Sequence, residues 1–190
     1  MKSLKIGFAI TGSHCTFAAI TDPMKDLRAK GNTLIPILSD AAASTSTRFG
    51  EAEHWTKAFA DISGHRVISS IKEAEEIVTN KVDVVVVAPC TGNTLGKLAN
   101  AITDTAVTMV VKAQLRNEKP VVLAISTNDG LAGNAVNIGR LLDKKNIYFV
   151  PFCQDNPQVK PRSLVCNMSL LPDTIESATQ GIQIQPILIR

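Results

Sequence analysis

Residues 82–88 read Val-Asp-Val-Val-Val-Val-Ala, a run of four consecutive valines closed by Pro89. Two heavy atoms on each Cβ stiffen χ1, lower helix propensity and favour an extended backbone. A strand that is apolar on both faces is satisfied only when both faces are covered, which is the situation of a central strand in a parallel sheet. Helices must therefore flank this strand, and the rest of the chain must supply parallel neighbours for it.

It supplies them in alternation. Residues 5–10 form a compact apolar run that stops at Thr11-Gly12-Ser13 and reads as a buried first strand. A helical pattern follows to Leu27 and stops at Gly31, with Pro23 predicting a kink or a restart inside it. Residues 33–38 form a second strand, followed by a small-residue and hydroxyl-rich loop over 41–50. Helices are predicted over 51–62 and 71–79, with a short strand at 67–69 between them. After the valine strand come helices over 94–101 and 105–116, a strand at 121–125, a helix over 132–145 and a strand at 147–152. Beyond Phe152 the sequence reads as a loop broken by Pro157 and Pro161, a short helix after Pro172, and an apolar tail at 182–189. Alternating strands and helices with right-handed crossovers predict an α/β fold: a doubly wound, Rossmann-like parallel sheet with helices on both faces. One domain over 1–190 is expected, with its core at 5–152 and an arm or tail at 153–190.

The chain of 190 residues is 45% hydrophobic, enough for one core without staples. Aromatics at 4%, a net charge of +3 and no basic run beyond Lys144-Lys145 argue against nucleic-acid binding. The first apolar stretch is too short for a signal peptide, and no window reaches the roughly 18 apolar residues of a membrane span. Cys15, Cys90, Cys153 and Cys166 have no metal-ligand spacing and read as reduced thiols, so a cytoplasmic location and no metal are expected.

In such sheets ligands bind beyond the carboxyl ends of the strands. Four of these ends carry small hydroxyl, amide and glycine residues. They are Thr11-Gly12-Ser13, Ser39, Pro89-Cys90-Thr91-Gly92-Asn93-Thr94 and Ser126-Thr127-Asn128. Gly12 admits an anion close to the backbone, Ser13 offers a hydroxyl, and the following helix adds free N–H groups. Each residue type also serves turns and caps; the coincidence of four loops favours a phosphate-bearing cofactor. A nicotinamide dinucleotide would use Asp40 on a ribose hydroxyl, but the single Gly12 falls short of the G-x-G-x-x-G that a pyrophosphate needs.

At the central loop the sequence V-V-V-V-A-P-C-T-G-N-T-L-G-K-L (84–98) resembles the FMN-binding decarboxylases of phosphopantothenoylcysteine and of lantibiotic cysteines. The likeness continues through Ala99, Asn100, Asp104 and the helix to Arg116, and Thr11-Gly12-Ser13 resembles that family's phosphate-contacting segment. It implies FMN contacts at Ser13, Ser39, Thr91, Asn93 and Thr94, in homo-oligomers such as trimers or dodecamers; Thr11, Gly12, Pro89, Gly92, Ser126 and Asn128 join them as cofactor-binding candidates by their place in the same strand-end loops. Two departures speak against decarboxylation. No His lies in residues 69–81, and the family's P-x-M-N becomes Ile125-Ser126-Thr127-Asn128, which keeps only the Asn. A nearer likeness accounts for both: Thr11 to Thr16, Thr47-Arg48-Phe49-Gly50, V-V-L-A-I-S-T-N-D (121–129), K-N-I-Y-F-V-P-F (145–152) and Lys160-Pro161 resemble the dipicolinate synthase B subunits.

That resemblance implies a partner, the A subunit of dipicolinate synthase, carrying NAD(P), and a joint oxidation of dihydrodipicolinate to dipicolinate during sporulation. The alternatives are a stand-alone FMN enzyme of the decarboxylase or prenyltransferase type, and a non-catalytic scaffold without flavin. For the dicarboxylate substrate Arg48 is the first candidate, because a planar guanidinium takes a carboxylate in a bidentate manner. Asn128 can orient substrate or flavin, and no catalytic base stands out. Cys15, Cys90 and Cys153 are each expected just after a strand, either as thiols near the site or as small core residues. His14, beside the first loop, reads as a plain loop residue or an anion cap, and Trp55 as core or interface.

Overall fold

The structure is a computed structural model that describes residues 3–78 and 82–189. Its elements in chain order are β1 (Lys5–Ile10), α1 (Phe17–Ala29), β2 (Thr33–Leu38), α2 (Asp40–Ser44), α3 (Ala52–Ser63) and α4 (Ile71–Val78). They continue with β3 (Val84–Cys90), α5 (Gly92–Ala99), α6 (Ala106–Arg116), β4 (Val121–Thr127), α7 (Ala135–Leu142) and β5 (Ile147–Phe149). A hairpin of β6 (Phe152–Asn156) and β7 (Lys160–Cys166) precedes α8 (Leu171–Thr179). Thr79, the expected end of the fourth helix, lies outside the described residues.

The valine run lies where its chemistry requires. Every residue of β3 is buried, and β1 and β4 flank it in parallel. The seven strands run β2-β1-β3-β4-β7-β6, with β5 also paired to β4. Helix α1 packs against α3 and α8, while α6 packs against α4 and α5, so both faces are covered. The sheet is thus the expected α/β arrangement with a mixed edge. Among the described residues no helix is long and apolar enough to cross a membrane.

The far edge holds the main departure from expectation. Residues 153–166, read from sequence as a loop, pair antiparallel as β6 and β7. Asn156 accepts the N–H of Val159 and closes the turn at Pro157. Strand β4 has two neighbours in succession. Its first half runs parallel to β5 (Val121↔Ile147, Leu123↔Phe149), and its last two residues pair with β7 (Ser126↔Val165, Thr127↔Leu164). Pro151, which has no N–H to donate, separates β5 from β6 in what the sequence suggests is one strand.

Smaller differences have local causes. Thr91 accepts the N–H of Thr94, so α5 starts at Gly92 rather than Thr94. Ser39 accepts the N–H of Ala42 and starts α2 inside the expected 41–50 loop. At 67–69 only the bridge Ile37↔Ile68 forms, because the preceding rung would need an N–H from Pro36. Helix α1 runs through Pro23 as one element. The apolar tail does not enter the core: Ile182 and Leu188 are 55% and 68% exposed, and Phe152 fastens the tail by hydrogen bonds to Ile187 and Ile189.

Candidate functional site

The carboxyl ends of β1, β2, β3 and β4 point to one edge, and the first of them is stapled to the third. Thr11, buried at the end of β1, donates its hydroxyl to the carbonyl of Pro89 at 2.7 Å and accepts the N–H of Thr91 at 3.0 Å. The Thr11 N–H also donates to Pro89. This side chain fixes the spacing between the first loop and the start of α5. Pro89 contributes through that carbonyl.

Beside the staple is a cavity of about 360 Å³, within the ~300–1,000 Å³ of small-molecule sites. Six of the residues singled out from sequence meet there: Thr11, Gly12, Ser39, Thr91, Asn93 and Thr94. A Cβ on Gly12 would stand 3.1 Å from the Cβ of Ala41, so a side chain at this point would crowd α2. The Thr91 hydroxyl accepts the Thr94 N–H at 3.3 Å and bonds the Thr94 hydroxyl at 3.0 Å, so the N–H groups of Gly92 and Asn93 are the remaining donors of the first turn of α5. Two further lining residues, Lys97 and Thr105, escape the sequence reading. The usable signal is spacing: Lys97 lies one helical turn beyond Asn93. Its ammonium pairs with Asp104 at 2.9 Å and is largely covered. Asp40, the residue a dinucleotide would need, also lines this cavity.

Of the other five predicted residues, Ser13, Ser126 and Asn128 open on a second cavity of about 280 Å³, between the β1 loop, the tip of β4 and the hairpin. Ser13 and Ser126 face each other there with hydroxyls 2.8 Å apart, and Asn128 is exposed at its rim. The hairpin adds Asp155, Lys160 and Ser163, none visible as site residues from a segment read as loop.

Gly92 has no side chain to line either of these cavities; it borders a third, more open one with Asn93, Lys97, Asp129 and Asn134. It abuts a polar knot in which Asp129 accepts from the Thr127 hydroxyl at 2.5 Å and from the Asn134 amide at 2.8 and 2.9 Å. A Cβ on Gly92 would lie 2.5 Å from Thr127 Oγ1 and from Asn134 Nδ2. The hydrogen bond from Thr127, with that from Asn134, holds the Asp129 carboxyl below the usual carboxylate range against a smaller opposing effect of burial.

Arg48 lines neither cavity. It is exposed on a turn closed by Thr47 and Gly50, its guanidinium 4.9 Å from the Phe49 ring centre, and Trp55 Nε1 donates to the Phe49 carbonyl. Trp55 itself packs against Phe17 and Phe59. The cysteines divide in a way the sequence does not show: Cys90 and Cys166 are buried, Cys153 half-buried and Cys15 exposed. Burial raises both interior thiols, Cys166 to about 12, so Cys90 at the end of the central strand is a packing residue rather than a thiolate. The His14 ring packs tilted against Phe17 with centroids 4.9 Å apart, its Nε2 buried and without a hydrogen-bond partner among the described residues.

Open α/β sheets bind small molecules beyond the carboxyl ends of their strands, where both cavities lie, and residues 1–179 match the Flavoprotein family model: the chain belongs to that family. Within it, the chain is 47% identical to the B subunit of dipicolinate synthase of Bacillus subtilis over 190 residues, covering all of this chain and 95% of that protein. The crystal structure of the dipicolinate synthase B subunit from Bacillus halodurans superposes with a TM-score of 0.90 at 47% identity, over 98% of this chain and 96% of that one. The FMN-dependent cysteine decarboxylase TvaF from thioviridamide biosynthesis is 30% identical with a TM-score of 0.59, over 74% of this chain and 86% of that one.

Proposed function

We propose that this chain binds FMN at the strand-end edge and is the B subunit of a two-subunit enzyme that oxidises dihydrodipicolinate to dipicolinate in the cytoplasm of sporulating cells. The observation that carries this reading is the cavity in which Thr11, Gly12, Ser39, Thr91, Asn93 and Thr94 meet. Its donors suit a phosphate monoester. The N–H groups at the start of α5 and the Lys97 ammonium supply positive potential, and Gly12 lets the backbone approach without a side chain. The hydroxyls of Ser39, Thr91 and Thr94 fit a polyol chain. One phosphate is all this cradle serves, consistent with a mononucleotide rather than a dinucleotide.

The relatives support the same assignment: one bears the name of the B subunit along its whole length, and another is FMN-dependent. Bound FMN supplies a ring that accepts two electrons. The substrate gives up a hydride and a proton and becomes an aromatic pyridine; the hydride goes to this flavin or to the NAD(P) of the A subunit. On this chain Ser13, Ser126 and Asn128 stand at the second cavity, where they orient ring and substrate by hydrogen bonds. In this reading the chain also forms a homo-oligomer, a trimer or dodecamer, to which the A subunit attaches.

The test is purification with and without the A subunit. Yellow absorbance with released FMN, and dipicolinate formed only when both chains are present, is the expected result. A colourless protein that ignores added FMN removes the flavin. A pair that produces no dipicolinate from dihydrodipicolinate removes the reaction.

A further inference from the structure

The diacid of the proposed reaction needs a cation on its binding surface, and Arg48 lines neither strand-end cavity. The second cavity has a cation of its own. Lys160, the first residue of β7, lines it together with Ser13, Ser126, Asn128 and Ser163. The Lys160 ammonium is 2.7 Å from the carboxylate of Asp155, on β6, which lines the same cavity. Both side chains are partly exposed, 53% for Lys160 and 40% for Asp155. An ion pair so open to water adds little to folding and exchanges partners readily. The pair therefore marks a carboxylate position already filled by the protein's own carboxylate.

The surroundings suit a carboxylate with a ring attached. The Ser13–Ser126 contact of 2.8 Å consumes one hydroxyl proton and leaves the other to donate. Asn128 adds an amide at the rim, and Leu164 and Val165 give the wall an apolar patch for a flat ring. Asp155 and Lys160 also sit beyond the two β4–β7 pairs that fasten the hairpin to the sheet, so a change of partner there disturbs no core contact.

We infer that this cavity docks one carboxylate of the substrate diacid on Lys160, and that Asp155 occupies the same position in the free protein and competes with the ligand. The inference rests on the dipicolinate reading and adds a binding residue to it. Its consequence is a pair of substitutions with opposite signs. Lys160→Met removes the cation and weakens binding. Asp155→Asn removes the competitor and strengthens it. A pair that merely braced the hairpin would shift ligand binding in one direction whichever partner were lost.

The experiment uses the complex with the A subunit, measuring KM and kcat for dihydrodipicolinate and, by titration calorimetry, the Kd of dipicolinate. For Lys160→Met we expect KM and Kd to rise roughly tenfold with kcat within about twofold of wild type, as for loss of one charge-assisted contact. For Asp155→Asn both constants fall by about two- to fivefold, and Lys160→Arg retains most of the binding. Unchanged constants in Lys160→Met, or constants that rise in both variants, overturn the inference while wild-type activity leaves the functional reading standing. A wild-type complex that neither binds dipicolinate nor forms it overturns the reading and the inference together.

Discussion

Thr11 donates its hydroxyl to the carbonyl of Pro89 at 2.7 Å, and the same oxygen accepts the N–H of Thr91 at 3.0 Å. One buried atom therefore sets the distance between the first loop and the helix that faces it. Thr11→Val keeps the shape and leaves the Thr91 N–H without its acceptor, while the Pro89 carbonyl keeps only the Thr11 N–H. It should cost about 1–3 kcal/mol of stability, read as a lower urea midpoint at unchanged slope. FMN affinity should fall with it, because the two loops proposed to cradle the phosphate lose their tie.

Lys97 faces the first cavity with its charge held by Asp104. If the proposed phosphate site is right, Lys97→Met should weaken FMN binding by about tenfold, the effect of losing one charge-assisted contact. Its affinity should also depend less on salt than that of the wild type. Quenching of flavin fluorescence at two ionic strengths measures both; an unaltered salt dependence would remove Lys97 from the phosphate.

Gly92 has no room for a methyl group against Thr127 and Asn134. Gly92→Ala forces the knot around Asp129 apart and should destabilise the protein by about 1–3 kcal/mol. Thermal unfolding checks the stability, and the yellow colour of the purified variant checks whether α5 still points its first turn at the cofactor.

Asp129 carries a carboxyl held low by Thr127 and Asn134. A carboxyl depressed in the folded state contributes stability that is fully present above the unfolded value of about 3.9. That contribution is lost as pH falls through the folded value. Wild type should therefore lose stability more steeply than Asp129→Asn as pH falls below about 4, and the gap between the two should be constant above about pH 5. Denaturant titrations across that range decide it.

Thiol labelling of the native protein should find Cys15 first and leave Cys90 and Cys166 untouched until urea unfolds the chain, because burial raises the interior thiols. Peptide mass spectrometry after a timed pulse of iodoacetamide reads the order.

The parallel core is legible in the sequence because its signals are local and redundant: a valine run buried on both faces, apolar strands stopped by glycine or serine, and threonine caps. The first cavity is legible for a related reason, since topology alone brings the ends of β1, β2 and β3 together. The hairpin is hidden by its composition. Residues 153–162 are polar and largely exposed because β6 is an edge, so no alternation marks them; Asn156-Pro157 gives only the turn. Arg48 stands out by the chemistry of its side chain, and a sequence cannot tell that Trp55 holds its turn away from both cavities. Lys97 is accessible through its spacing from Asn93, but a helical lysine is most often solvated and carries no signal by itself.

The succession of neighbours along β4 separates two kinds of selection on this chain. Substitutions between Val121 and Ile125 are judged by the buried interior and by β5, whereas Asp155 and Lys160 stand partly exposed to solvent on the hairpin. A scaffold wired in this way can have its exposed rim rewritten at little cost, while the layers that make it fold tolerate far less change.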